Sequence, residues 1–346
     1  MGIQGLNSFL RDKFDTVHKE ISLADYRYKK IAIDTSLYMF KFKTVFGDTV
    51  WLNAFINLVI CLRKNDIHCL FVYDTVAPIE KTAERNERKE KRDKLERDVF
   101  DLEQEIEKYE IDSILSPKCK EIVDKNKKVL LGGNNTRYNL MILRQELEKK
   151  KRQVIKIESR DFDLTRALFK IMNVPYVFAP SEAEAYCSHL CISGIVDAVL
   201  SEDSDVMAYG SPVFLSKINT STQTVIEIKY ENILNQTGLT HHEFKDFCIL
   251  CGTDYNKNIP KVGPVLSYKL MKEHKSIDML ENIYDISILN HKRVREIFTF
   301  SEKLTISIPY CGTPDFKKLE EFCFVNNCRI NIDEIRRVNT ANIVFI

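Results

Sequence analysis

Short apolar, β-branched runs along this chain repeatedly end in acids. "KKIAID" closes on Asp34, "IHCLFVYD" on Asp74, and "GIVDAVLSEDSD" on Asp203 and Asp205. Between these runs, residues 51–64 and 160–173 carry apolar positions at helical spacing. Strands alternating with helices predict an α/β fold with a largely parallel sheet. In such sheets ligands bind outside the carboxyl ends of the strands, so the three strand-end acid positions are expected to converge on one crevice. One such aspartate alone reads as a helix cap or turn residue; three in one sheet are harder to account for that way.

The pattern changes between Lys81 and Ile157. "EKTAERNERKEKRDKLERDVFDLEQEIEKYE" is mostly charged, with Leu95, Val99, Leu102 and Ile106 at helical spacing. Residues 81–157 hold 21 Lys and Arg against 16 Asp and Glu, a net of +5, which leaves −4 for the rest of a chain whose total is +1. One reading is a solvated helix laced with i,i+4 ion pairs. The other is a basic helical arch that gathers phosphates. "LGGNNTRYN" (131–139) predicts a loop joining two helical pieces.

Past residue 240, "FKDFCILCGTDYNKNIPKVGPVLSYKLMKEH" reads as a helix, a Gly–Thr–Asp turn, a second turn at "IPKVGP" and another helix. Two helices around a Gly/Pro turn, with N–H groups exposed at a helix start, suit a phosphate-backbone grip.

Composition adds limits. The 346 residues are 44% hydrophobic and 29% charged, enough for one large domain or two with a real core. A net charge of +1 gives no strong overall field, so a polyanion must be held by local patches. The longest apolar stretch, "LNAFINLVICL", is too short for a membrane span and contains asparagines. An intracellular protein is expected, in nucleus, cytoplasm or a viral replication compartment, and "EKKKRQ" (148–153) reads equally as a nuclear signal or a phosphate contact. The ten cysteines are expected as buried reduced thiols. Cys248 and Cys251 form one C-x-x-C without a second pair, and His241 and His242 read as surface residues.

In "APSEAEAY" (179–186), Glu182 and Glu184 admit two readings. Ser181 with Glu184 matches a capping box at a helix start. Alternatively, both glutamates serve a metal site beside the strand ends. With Asp34, Asp74, Asp203, Asp205 and Asp254 they make seven acids. Clustered carboxylates cannot all stay ionised without cations between them. Oxygen donors without His or Cys suit Mg²⁺ or Mn²⁺, and two such ions are a standard device for phosphodiester hydrolysis.

"MGIQGLNSFL", "IAIDTSLYMF", "FVYD", "VPYVFAPSEAEAYCSHL", "LSEDSDVMAYGSPVFL" and "LCGTDYNKNIPKVGPVLSYKL" follow one another in order. Together they resemble the flap endonuclease (XPG-type) family of structure-specific 5′ nucleases, over roughly residues 1–80 and 158–280. The resemblance implies a PIN-like core formed by 1–80 and 158–245, an inserted helical arch at 81–157, a helix–two-turn–helix at 246–290 and a C-terminal extension at 291–346. It implies two divalent ions, with Asp34, Asp74, Glu182 and Glu184 mainly around one. It implies that Asp203, Asp205 and Asp254 sit mainly around the other, with Glu184 between them. Gly2 matches a terminal glycine near the DNA branch point, which implies removal of Met1. Phe40 stands where the family often stacks an aromatic on a base; a core phenylalanine is the other reading. Lys81 matches a basic residue that polarises the scissile phosphate, and Arg85 or Arg88 matches the arginine of the same arch helix.

The chain also departs from the family pattern. The interval from Asp74 to Glu182 is longer than in a compact flap endonuclease. The family turn G-[IV]-G-P reads "KVGP", with Lys261 in place of the first glycine and Gly263 as the second. The family holds K⁺ at this turn; Lys261 could instead contact a phosphate, as could Lys257 and Lys269. "NTANIVFI" contains no sliding-clamp peptide. The expected partner is branched or nicked DNA, bound by a monomer without a membrane. Alternatives are a 5′→3′ exonuclease or junction resolvase of the same family, and a non-catalytic DNA-junction scaffold.

Overall fold

The computed structural model describes residues 2–48, 50–126 and 136–340. The chain opens with α1 (Leu6–Lys13) and edge strand β1 (Lys19–Ser22) before β2 (Lys30–Asp34) enters the core. Helices α2 (Thr35–Phe46) and α3 (Trp51–Lys64) lead to β3 (His68–Tyr73). All six β3 residues are buried, as expected for a parallel strand covered on both faces.

The insertion follows. It consists of α4 (Thr82–Asp112), α5 (Pro117–Asn126) and α6 (Thr136–Gln153). This corrects the expectation of two helical pieces. The chain breaks after α4, where Ser113 takes a left-handed conformation (φ 58°). Residues 136–139 of the predicted loop are helical, and 131–135 lie outside the described residues. The three helices share a small core. Val99, Leu102, Ile106 and Tyr109 of α4 meet Cys119 and Val123 of α5 and Ile142, Leu143 and Leu147 of α6. A mostly charged 31-residue helix is thus held by one apolar stripe.

The chain returns through α7 (Ser159–Ile171), β4 (Tyr176–Phe178), α8 (Ala183–Ile192), β5 (Ala198–Leu200) and the short α9 (Asp205–Ala208). Strands β6 (Val213–Asn219) and β7 (Thr224–Lys229) complete a seven-stranded sheet of order β1-β7-β6-β5-β2-β3-β4. β6, β5, β2, β3 and β4 run parallel; β7 and β1 are antiparallel additions. The strand order reverses between β2 and β5, the switch point at which such sheets bind ligands.

Alternate strand residues feed two cores. Ala32, Leu70, Val72 and Val199 face α1, α8 and the helices that follow the sheet. Ile31, Ile33, Phe71, Tyr73 and Leu200 face α2, α3 and α7. After α10 (Tyr230–Thr237) come α11 (His241–Cys251) and α12 (Pro264–His274). The expected boundary between residues 245 and 246 therefore falls inside α11.

The C-terminal helices are α13 (His291–Ile297), α14 (Phe316–Val325) and α15 (Ile332–Thr340). Leu319, Cys323 and Ile335 belong to the same core as α3 and α7, so α14 and α15 complete the sheet's covering rather than extend away from it. All ten cysteines are free, and Cys248 and Cys251 are buried in α11. No helix among the described residues is long and apolar enough to cross a membrane.

Candidate active site

The carboxyl ends of β2, β3, β4 and β5 deliver the acids to one place. Asp34 is the last residue of β2 and caps α2, its Oδ1 accepting the Leu37 N–H at 3.0 Å. Its Oδ2 accepts the Ser201 hydroxyl at 3.3 Å, and Ser201 Oγ in turn accepts the Asp203 N–H at 3.1 Å. Asp203 Oδ1 accepts the Asp205 N–H at 2.9 Å. Asp34 on β2 is thereby linked to the turn after β5 across the switch point.

Asp74 follows β3. Its Oδ1 accepts the Ala183 N–H, at 2.6 Å, at the start of α8. Of the two readings of "SEAE", the capping box does not form. Ser181 donates its hydroxyl to the Val76 carbonyl, and Glu182 is the N-cap residue with no capping bond from its own side chain. The cap comes from another strand, so Glu182 and Glu184 are left for the crevice. Both are 6% exposed.

Lys81, 9% exposed, places its ammonium among them. Its Nζ lies 2.5 Å from Glu182 Oε1, 3.3 Å from Asp254 Oδ2 and 3.6 Å from Glu184 Oε1. Burial works against the charge on this amine, but Glu184 and Glu182 outweigh it and hold its pKa above the ordinary lysine value. Glu182 Oε2 accepts the Tyr255 hydroxyl at 2.5 Å. Arg88 reaches Asp254 Oδ2 at 2.8 Å and also pairs with Glu84.

Asp34, Asp74, Glu182, Glu184 and Asp203 line one cavity of about 330 Å³, together with Lys81, Arg85, Arg88 and Phe40. Phe40 is 43% exposed, so it is a wall of this cavity and not a core residue. Arg85 makes no ion pair among the described residues. Asp205 lies behind Asp203, fully buried, and Asp254 sits beyond Lys81 on the turn after α11.

Gly2 adjoins the same acids. It has φ 80°, and a Cβ there would stand 2.1 Å from Asp203 Oδ1 and 2.6 Å from Asp205 Oδ1. A side chain there would strain the backbone and displace these carboxylates. The Gln4 N–H donates to the Gly252 carbonyl at 3.0 Å, which fastens the N-terminal segment to the turn after α11.

Lys257, Lys261, Gly263 and Lys269 lie outside the cavity, along the α11–α12 turn and on α12. The three lysines are exposed. Lys261 has φ 66°, a left-handed conformation that glycine adopts without strain. Gly263 precedes α12 as its N-cap, with Pro264 at the first helical position. Further along α2, Thr44 stands one helical turn from Phe40 and faces a wider groove of about 1090 Å³, whose α6 wall carries Arg137, Arg144, Lys149 and Arg152.

Burial and mutual proximity set the electrostatics of these acids. Burial holds the carboxyl pKa values of Asp34, Glu184, Asp203 and Asp205 above the ordinary range. Asp74 adds to the effect on Asp34, and Asp203 to that on Asp205. Both Asp205 carboxylate oxygens are buried without a hydrogen-bond partner. Among the described residues no three acid, imidazole or thiol groups close on a single point as ion ligands would. Even so, unpartnered buried carboxylate oxygens and an all-oxygen donor set fit hard divalent cations.

Two family models match the chain: the XPG N-terminal domain over residues 1–95 and the XPG I-region over residues 173–254. A probable RAD2-like endonuclease, 369L, of Invertebrate iridescent virus 6 is 32% identical, covering 97% of this chain and 91% of that protein. This chain belongs to the XPG family of nucleases. Flap endonuclease 1 of Zea mays is 31% identical over 82% of this chain and 70% of its own length. The fold is that of the Rad2 catalytic core solved with a DNA substrate (TM-score 0.65, 17% identity, 97% of this chain and 98% of that one). It is also that of flap endonuclease-1 from Methanococcus jannaschii (TM-score 0.61, 21% identity, 94% and 95%). XPG-family nucleases generally use divalent metal ions, in keeping with the donor set here.

Sequence reasoning missed Ser201 and Tyr255. Ser201 opens the "SEDSD" run and Tyr255 follows Asp254 directly. Adjacency to the acids was the available signal, but only the fold shows that Tyr255 reaches Glu182.

Proposed function

We propose that this protein is a Mg²⁺-dependent, structure-specific 5′ nuclease that cuts branched DNA near the junction of single and double strands, with 5′ exonuclease activity on nicked duplex. The observation that carries this reading is the convergence of Asp34, Asp74, Glu182, Glu184 and Asp203 on one cavity beside Lys81, Arg88 and exposed Phe40.

Asp34, Asp74, Glu182 and Glu184 would hold one ion, and Asp203, Asp205 and Asp254 a second, with Glu184 between them; Mn²⁺ would substitute for Mg²⁺. When bound, such a pair would activate water and stabilise charge on the attacking and leaving oxygens. The protein's own side chains do the rest. Phe40 stacks on a base at the cavity mouth. Lys81 and Arg88 hold the scissile phosphate. Of the two arch arginines, Arg88 is the one that already reaches the acid set.

The duplex lies along the α11–α12 turn, where Lys257, Lys261 and Lys269 are exposed and the N-terminus of α12 presents free N–H groups to phosphate. Lys261 brings its own cation to a turn where the family uses K⁺. The 5′ strand follows α2 from Phe40 past Thr44 along the basic wall of α6. The protein acts as a monomer, and its likeness to a viral RAD2-like endonuclease supports a viral member of the family.

Asp203→Ala tests the assignment. This variant should cut flap DNA at least 10³-fold more slowly while duplex affinity stays within about threefold. Full activity would overturn the two-ion reading.

A further inference from the structure

Glu182 divides its two oxygens between two partners. Oε1 faces Lys81 at 2.5 Å and Oε2 accepts the Tyr255 hydroxyl at 2.5 Å. Tyr255 is not on the sheet. It belongs to the α11–α12 turn, the segment that also carries Asp254, Lys257 and Lys261. This hydrogen bond therefore joins the proposed duplex grip to an acid at the end of the parallel sheet.

Both ends of the link are fixed. Side chains knit the turn together. The Thr253 hydroxyl donates to Asn256 Oδ1 at 2.6 Å, and its oxygen accepts the Tyr255 N–H at 3.1 Å. Asn256 Nδ2 donates to the Ile249 carbonyl at 3.1 Å, and Asn258 Nδ2 to the Cys251 carbonyl at 2.7 Å. The Tyr255 ring is 4% exposed and meets Phe298 edge-on at 5.5 Å. Phe298 is in turn packed edge-on by Tyr209 at 4.9 Å. Glu182 precedes α8 and does not cap it with its own side chain, so Tyr255 is the partner that orients its Oε2.

We propose that Tyr255 is a positioning residue that orients Glu182 for divalent-ion binding and couples the α11–α12 turn to the acid cluster. The proposal rests on the two-ion reading given above. A carboxylate that gains a fixed hydrogen bond on one oxygen presents the other in a defined direction. Removing such an outer partner commonly costs ten- to a hundredfold in metal affinity or activity. Tyr255→Phe would keep the contact with Phe298 and remove only the donor, leaving Glu182 Oε2 buried without its partner.

The test compares the wild-type full-length chain with Tyr255→Phe. Mn²⁺ affinity is read by electron paramagnetic resonance of free Mn²⁺, duplex affinity by fluorescence anisotropy in Ca²⁺, and flap cleavage over a Mg²⁺ series. Tyr255→Phe should bind Mn²⁺ about tenfold more weakly. At low Mg²⁺ its kcat should fall while KM for the flap is unchanged, and added Mg²⁺ should restore kcat. Duplex affinity should stay within about twofold. Unchanged Mn²⁺ affinity in Tyr255→Phe beside a wild type that binds Mn²⁺ would overturn this proposal alone. Equal losses of Mn²⁺ and duplex affinity would also overturn it, because they would mark a purely structural role. A wild-type chain that takes up no Mn²⁺ would overturn the two-ion reading and this proposal with it.

Discussion

The Asp74 carboxylate accepts the Ala183 N–H at 2.6 Å, so an acid at the end of β3 caps a helix that begins beyond the next strand. Capping and ion binding place different demands on this side chain. Asparagine can accept the same hydrogen bond but carries no charge. Asp74→Ala should lower the unfolding free energy by about 1 kcal/mol, and Asp74→Asn by less than half of that. Both should lose most cleavage activity. Urea melts and flap cleavage on the two variants check this; an Asn variant with wild-type activity would leave Asp74 as a cap and nothing more.

Buried acids make stability depend on pH in a defined direction. Burial, then neighbouring carboxylates, raise the folded-state pKa values of Asp34 and Asp205; burial also raises that of Glu184 against the pull of Lys81. Above the ordinary carboxylate range the folded chain therefore binds more protons than the unfolded chain, and stability falls as pH rises through that window. In chelator, Tm should be higher near pH 5 than near pH 7.5, both values chosen relative to ordinary carboxylate titration. Asp205→Asn should raise Tm in chelator near neutral pH and flatten the slope, and Mg²⁺ should stabilise the wild type more than this variant. Thermal melts across pH decide it, and a Tm in chelator that rises with pH contradicts the electrostatic account.

Lys261 holds a left-handed backbone at φ 66° in an exposed turn. For an L-residue with a Cβ that conformation costs about 1 kcal/mol. Lys261→Gly should therefore stabilise the protein by up to that amount while weakening duplex binding. The slope of log affinity against log salt should fall by about one, as expected when one phosphate is no longer neutralised. Melting and a salt series on duplex affinity test both halves, and unchanged duplex affinity would remove Lys261 from the interface.

Arg88 touches Asp254 at 2.8 Å, while Arg85 lines the cavity with no ion pair among the described residues. Arg88→Ala should slow single-turnover cleavage by at least tenfold, an effect on the scale of removing one charge-stabilising donor. Arg85→Ala should slow it less, with flap binding similar in both. The opposite order would assign the phosphate to Arg85.

Much of the site was legible in the sequence because strand ends are easy to read. Apolar runs closing on Asp34, Asp74 and Asp203 imply a common edge once the sheet is parallel, and the sheet is parallel there. Other features depend on contacts between distant segments. "SEAE" carries a local capping signal, yet the cap is supplied by Asp74, more than a hundred residues earlier. The number of helices in the insertion was obscured by charge, since α4 is buried along only one stripe. Tyr255 was hidden for a similar reason: its hydrogen-bond partner Glu182 is 73 positions away. Nor does periodicity show that Leu319 and Ile335 return to the core that contains α3.

The most direct measurement of the central claim is the product length from 5′-labelled flap DNA incubated with the full chain, once with Mg²⁺ and once with EDTA. The account predicts a discrete product cut near the flap junction in Mg²⁺ and intact substrate in EDTA. Tight flap binding with no product in either Mg²⁺ or Mn²⁺ would contradict it and leave a DNA-junction scaffold.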